Sequence, residues 1–190
     1  MANCADVNSA KRIYALAAAW GIAEATLFFI VPDVLLSWVA IHDWKRALRT
    51  CTWALVGALV GGCIVWILGY LEPQPVREIF GLVPGISEQM IADVGQQLDS
   101  RGLIALFIGP LIGTPYKIYA LEAAGAGYGL LVFLLVSIPA RLMRFLVVTL
   151  VAGLASHVLR RIVSTRVLVW LHVFLWLAFY TWYFGVMGVY

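Results

Sequence analysis

Charge is what this 190-residue chain has least of: Asp, Glu, Lys and Arg supply 12% of it, against 63% for the hydrophobic set. A soluble domain carries about 25% charged residues. One core of this size could not hide the excess apolar surface, and mean hydropathy is +0.95. The chain is therefore read as an all-α polytopic membrane protein. Cysteine is scarce as well. Cys4, Cys51 and Cys63 contain no CxxC, so they read as small apolar filler rather than a disulfide framework or a metal site. HExxH, GxSxG and paired-aspartate boxes are absent, and no Walker Lys-Ser/Thr follows the glycines of "GALVGG" at 57–62. An enzyme would lack its nucleophile or metal, and no cofactor is expected. The basic residues are scattered, which leaves nucleic acid without support as a partner. A cleaved leader also fits poorly, because the apolar run after Lys11-Arg12 is too long and contains Glu24.

What the chain does have is apolar blocks, at 13–41, 50–71, 102–124, 126–158 and 167–188. Blocks 50–71 and 167–188 match a hydrocarbon core of about 30 Å at 1.5 Å per residue. The last carries Trp170, Trp176, Tyr180, Trp182, Tyr183 and Tyr190, read as an interfacial belt with helix packing. Gly57 and Gly61 have the spacing of a close helix contact, within the chain or in a homo-oligomer.

Block 13–41 is too long for one straight span. Lys11 and Arg12 precede it, and Lys45, Arg46 and Arg49 follow it. Positive flanks at both ends place both ends in the cytoplasm, with the N-terminus. The block is then a re-entrant hairpin breaking at Pro32-Asp33, with arms reaching roughly 20 Å deep. Block 50–71 carries the chain outward to an external loop, 72–101. Its stretch 86–98 has the rhythm of a surface helix capped by Ser87. Block 102–124 breaks at Pro110, Gly113 and Pro115. If it turns back, Arg160, Arg161 and Arg166 fall in the cytoplasm, as the charge rule requires. Two oppositely oriented hairpins plus about three transmembrane helices make an inverted repeat, a common transporter architecture.

Glu24, Asp33, Lys117, Glu122, Arg141 and Arg144 lie within or beside these blocks. Asp, Lys or Arg costs about 2.5–3.5 kcal/mol at a membrane helix centre, so such groups should pair or line water. Arg141 and Arg144 are three apart and share a helix face. Two readings follow: fixed ion pairs, or a hydrated site where arginines hold a phosphate-like group and a carboxylate exchanges a proton. His42, His157 and His172 read as interfacial or packed.

Three stretches carry a family resemblance. "EATLFFIVPDVLL" (24–36), "GPLIGTPYKIYALEAAGAG" (109–127) and "IPARLMRFLVV" (138–148) resemble the two hairpins and the arginine-bearing helix of the DedA family, the SNARE-associated or VTT-domain membrane proteins, in its small YqaA-like branch. The chain differs at Lys117, where many relatives carry Arg, and lacks a further Arg near position 109. The resemblance implies lipid movement between leaflets: flippase or scramblase activity on an anionic phospholipid or polyprenyl-phosphate carrier, in a bacterial inner membrane. It makes Arg141, Arg144 and Lys117 the phosphate-facing group and Glu24 and Asp33 the acidic pair, with protons as a coupling partner. The competing readings are a small proton-coupled exporter of cations or drugs and a non-transporting scaffold.

Overall fold

The computed structural model describes residues 4–187, in which every regular element is a helix and no strand occurs. The helices are α1 (Cys4–Thr26), α2 (Asp33–His42), α3 (Trp44–Leu71), α4 (Pro73–Gly81), α5 (Glu88–Arg101), α6 (Ala105–Ile108), α7 (Tyr116–Gly125), α8 (Leu130–Leu159) and α9 (Thr165–Met187). Single 3-10 turns at Gly102–Ile104 and Gly109–Leu111 flank α6. Among the described residues three helices are long and apolar enough to cross a membrane: Trp44–Leu71, Leu130–Leu159 and Thr165–Gly185. The chain is accordingly a helical membrane protein. Tyr190 of the aromatic block lies outside the described residues, as does the side chain of Cys4.

Block 13–41 divides unevenly. Its first helix begins at Cys4 instead of 13, because the Ala, Lys and Arg before the apolar run are good helix formers. Thr26 ends it: its hydroxyl donates back to the carbonyls of Ile22 (2.9 Å) and Ala23 (3.0 Å), a local alternative to the ladder. The break spans residues 27–32, and Pro32 caps α2 rather than forming the apex. In the second interrupted block, Gly113 adopts φ +102, open to glycine without steric cost. Pro115 then opens α7.

The loop 72–101 holds two helices where the sequence pattern indicated one. α5 is the expected surface helix, burying Ile91, Val94 and Leu98, with the Ser87 hydroxyl accepting from the Met90 N–H at 3.2 Å. α4 was legible in retrospect: Pro73 sits in its first turn, where a missing N–H costs nothing, and Val76 and Phe80, four apart, are its buried residues.

Small residues set the packing. A Cβ on Gly57 would collide with the Ala18 backbone, one on Gly21 with the Ala54 carbonyl, and one on Gly61 would come within 2.7 Å of Ala25 Cβ. The Gly57–Gly61 face is therefore filled within the chain, by α1. The partners Tyr14–Trp53, Ala18–Gly57 and Ile22–Gly61 all lie 39 positions apart, so α1 and α3 run parallel. α7 is also parallel to α3, with Tyr116 against Gly62 and Leu121 against Gly69. α2 runs parallel to α8: Asp33 meets Arg144, and the Ile41 carbonyl accepts from Ser156 (3.3 Å) and Arg160. α8 is antiparallel to α3, with the Cys51 thiol 3.1 Å from the Thr149 hydroxyl and Tyr116, level with Gly62, donating to Ser137 at 3.0 Å. One core joins α3, α4, α5, α6, α7 and the first half of α8, and the other joins α1, α2, α3 and α8 at Phe145.

Association of helices in lipid depends on this close contact, since no hydrophobic driving force acts between them. Gly57→Val is expected to cost about 1–3 kcal/mol by overpacking, read from unfolding titrations in mixed micelles. Gly153→Ala adds a Cβ 3.5 Å from that of Trp44, an ordinary contact, and should leave the midpoint unlowered. An unchanged midpoint for Gly57→Val would refute the tight seam.

Candidate functional site

The site assembles where the two helix breaks meet. Counted along α3, Ala25 at the end of α1 packs on Gly61 and Tyr116 at the start of α7 packs on Gly62, so the breaks lie at one level. Glu24 is in the last turn of α1 and Asp33 in the first turn of α2. A carboxylate suits a helix N-terminus and opposes the dipole at a C-terminus, so Glu24 has the greater need of a cation.

α8 supplies it. Arg141 holds Glu24 with two N–H groups, NH1 to Oε1 at 3.4 Å and NH2 to Oε2. Its guanidinium carbon lies 4.6 Å from the Tyr116 ring centroid and 4.9 Å from that of Phe145, a cation–π enclosure. Arg141 is 1% and Glu24 4% exposed. One turn on, Arg144 donates Nε (3.0 Å) and NH2 (2.8 Å) to Asp33 Oδ2, and NH1 to the Pro110 carbonyl at 2.9 Å. One side chain thus grips the start of α2 and the second break together. Asp33 Oδ1 is buried and has no protein donor.

Lys117 is placed differently. It is 2% exposed, and Nζ donates to the Phe28 carbonyl in the first break at 2.9 Å. Among the described residues no carboxylate oxygen lies within ion-pair distance of it. An ammonium has three donors, so two are left for a ligand. With Glu24 matched by Arg141 and Asp33 by Arg144, Lys117 leaves the group one positive charge in excess.

These charges border a cavity of about 310 Å³, within the range of small-molecule sites. Glu24, Asp33, Lys117 and Arg144 line it, together with both breaks and a wall of Trp176, Phe179, Tyr180 and Tyr183 from α9. Arg141 does not line it. Pro110 and Pro115 border the cavity from the second break, while Pro32 stands at the base of α2.

Glu122, grouped with these charges on sequence grounds, belongs elsewhere. It pairs with Arg77 of α4 (Nε–Oε1 2.9 Å, NH2–Oε2 2.8 Å) at the far end of α7. The pair fastens α4 to α7. Charge order along the chain gave no means of matching Arg77 to residue 122. The aromatic block also does more than form a belt. Trp170 and Trp182 face outward at 73% and 62% exposure, but the Tyr180 hydroxyl accepts from the Val31 N–H in the first break at 2.9 Å. Ser37 joins α2 to α9, its hydroxyl 2.9 Å from His172 Nε2 and accepting from Trp176 Nε1 at 3.2 Å. The signal for that face was the four-residue spacing of 172, 176, 180 and 184. His42 bonds the Trp38 carbonyl at 3.0 Å, and His157 lies beside Gly153 in a shallow pocket. No group of three or more His, Cys, Asp or Glu is gathered among the described residues.

Among known proteins the chain is similar to an uncharacterized protein of Haemophilus influenzae (strain Rd), 25% identical over 130 residues, which cover 68% of this chain and 67% of that one. No family model matches the chain, and no solved structure matches it.

Arg141→Gln leaves Glu24 a buried, unpaired carboxylate and should cost about 3–5 kcal/mol of stability. Glu24→Gln/Arg141→Gln removes both charges and should recover most of that loss, which a double-mutant cycle on unfolding free energies would measure. Additive losses would show that the two side chains are not coupled.

Proposed function

We propose that the protein is a lipid transporter of the flippase or scramblase type, moving an amphiphile with an anionic phosphate head group between leaflets. The observation that carries this reading is Lys117: a buried cation without a carboxylate partner, in a cavity lined by both helix breaks. The excess positive charge suits an anion, and Arg144 adds a guanidinium to the lining of the same cavity. Lys binds phosphate as a point charge rather than by a planar fork, so head-group selectivity is expected to be looser than with Arg at this position.

The helix directions support two re-entrant hairpins in an inverted repeat. α1 and α3 are parallel, so α2 must return the chain to the end where α1 began. With the 39-residue register, Lys11 and Arg12 stand level with Thr50 and Cys51, beside Arg49. From there to Thr26 is about 21 Å of helix, less than a full crossing. In the second half α7 and α8 take directions opposite to those of α2 and α3. Irregular backbone at this depth belongs where protein or water covers it, and both breaks border the cavity. This is also the arrangement that the DedA-like stretches 24–36, 109–127 and 138–148 imply, with the N-terminus and basic flanks in the cytoplasm of a bacterial cell.

The direct test is translocation of a fluorescent phosphate-headed lipid in proteoliposomes. Lys117→Gln is expected to lower the rate at least about tenfold, the size of one lost charge-assisted contact. Asp33→Asn/Arg144→Gln, which keeps the breaks electrically balanced, should also impair it. Wild-type rates in both, with the proteins folded, would overturn the proposal. The unpartnered Asp33 Oδ1 favours a second reading, a proton-coupled exporter of cations or drugs. On that reading cation-driven proton flux is lost in Asp33→Asn and persists in Lys117→Gln.

A further inference from the structure

The charged cavity does not end at its charges. Phe28 and Phe29 of the first break, with Val83 and Pro84 of the α4–α5 connection, line both it and an adjoining apolar groove of about 520 Å³. Leu27, Ile79 and Leu82, which are 56%, 49% and 83% exposed, line the groove as well. Beyond Ala23 and Phe28 the depression continues along α1 past Trp20 to Leu16. Leu16 to Thr26 is about 15 Å of helix, the length of a long alkyl chain rather than of a solvent molecule.

Phe28 joins the two regions chemically. Its carbonyl accepts from Lys117 Nζ and its ring forms the groove wall, held edge-on by Trp20 at 6.2 Å. An alkyl chain in the groove would therefore have its end at the cation. A neutral chain from the bulk bilayer gains nothing there, whereas an amphiphile gains a charge contact and apolar burial together.

Resting on the transporter reading, we propose that this groove is the tail subsite of the ligand. It would take a single long apolar chain carrying an anionic head, with Leu27, Ile79 and Leu82 as the residues that select for that chain. The head lies at Lys117, and the tail leaves the protein sideways between the first break and α4. Exposure of large apolar residues on a short connecting helix then has a use, as one lip of a binding groove.

The test uses the full-length protein in neutral phosphatidylcholine nanodiscs, with hexadecyl phosphate carrying a mid-chain diazirine as the trace probe. Adducts are mapped by mass spectrometry. Labelling is expected at the peptides containing Leu27 and Ile79–Leu82, with competition by unlabelled hexadecyl phosphate. It should fall at least about tenfold in Lys117→Gln, while labelling of outward-facing α9 stays constant. Leu82→Trp, which fills the groove at its most exposed lip, should reduce it without altering Lys117. Equal groove labelling by the uncharged hexadecanol analogue, or labelling indifferent to Lys117→Gln, would overturn the tail subsite. If translocation is still lost in Lys117→Gln, only the groove assignment falls. If translocation also survives, the head-group reading falls with it.

Discussion

A charge buried in an apolar surround calls for an opposite charge, and that demand places four of the charged side chains at the site, leaving Lys117 as the one bonded to a carbonyl instead. The interrupted segments place carboxylates at helix ends, Glu24 at the last turn of α1 and Asp33 at the first turn of α2. Both are answered from one face of α8, by Arg141 and Arg144. Because Arg144 also holds the Pro110 carbonyl, the same side chain fixes the second break against the first. Pairs of this kind stabilise poorly compared with apolar packing. Their contribution is positional: they fix which helix ends face each other.

That positioning works only because small residues let α1 lie very close to α3. Ala18, Gly21, Gly57 and Gly61 put the two backbones in contact, and the register they impose brings Glu24 to the level of Tyr116 and the second break. Tyr116 then does two jobs, stacking on Phe133 and covering one side of Arg141. Glycine spacing and charge pairing are thus one device. α9 is held by other means. Only 6% of its apolar stretch is buried, and Ser37, Val31 and Gly85 tether it through His172, Trp176, Tyr180 and Tyr183. Ring packing adds to these tethers, with Phe184 edge-on to Phe29 at 5.0 Å between centroids.

Legibility differed by residue. The membrane environment, the apolar blocks, the two interruptions and the α5 surface helix follow from composition, periodicity and turn residues, and the described residues carry all of them. Boundaries were less readable: α1 begins nine residues earlier than its apolar block, because helix propensity does not stop where hydropathy does. The charged set Glu24, Asp33, Lys117, Arg141 and Arg144 was identifiable because each is expensive in lipid. Their division was not. Arg141 is enclosed by two rings and a carboxylate, whereas Lys117 borders open space, and a sequence records no such difference. Glu122 has the same cost as the others yet pairs with Arg77, a residue in a connecting segment outside the apolar blocks.

The sequence by itself determined the solvent, the segment lengths and the set of groups that needed partners, since these depend on residue type and on spacing within one helix. Tertiary structure decided who pairs with whom, which cation is left over, and that the aromatic face of α9 walls a cavity. Those outcomes depend on helix directions and on the 39-residue register of α1 against α3. That register is set by where glycines on two separate helices allow backbones to touch, and contact between distant segments is a property of the folded chain alone.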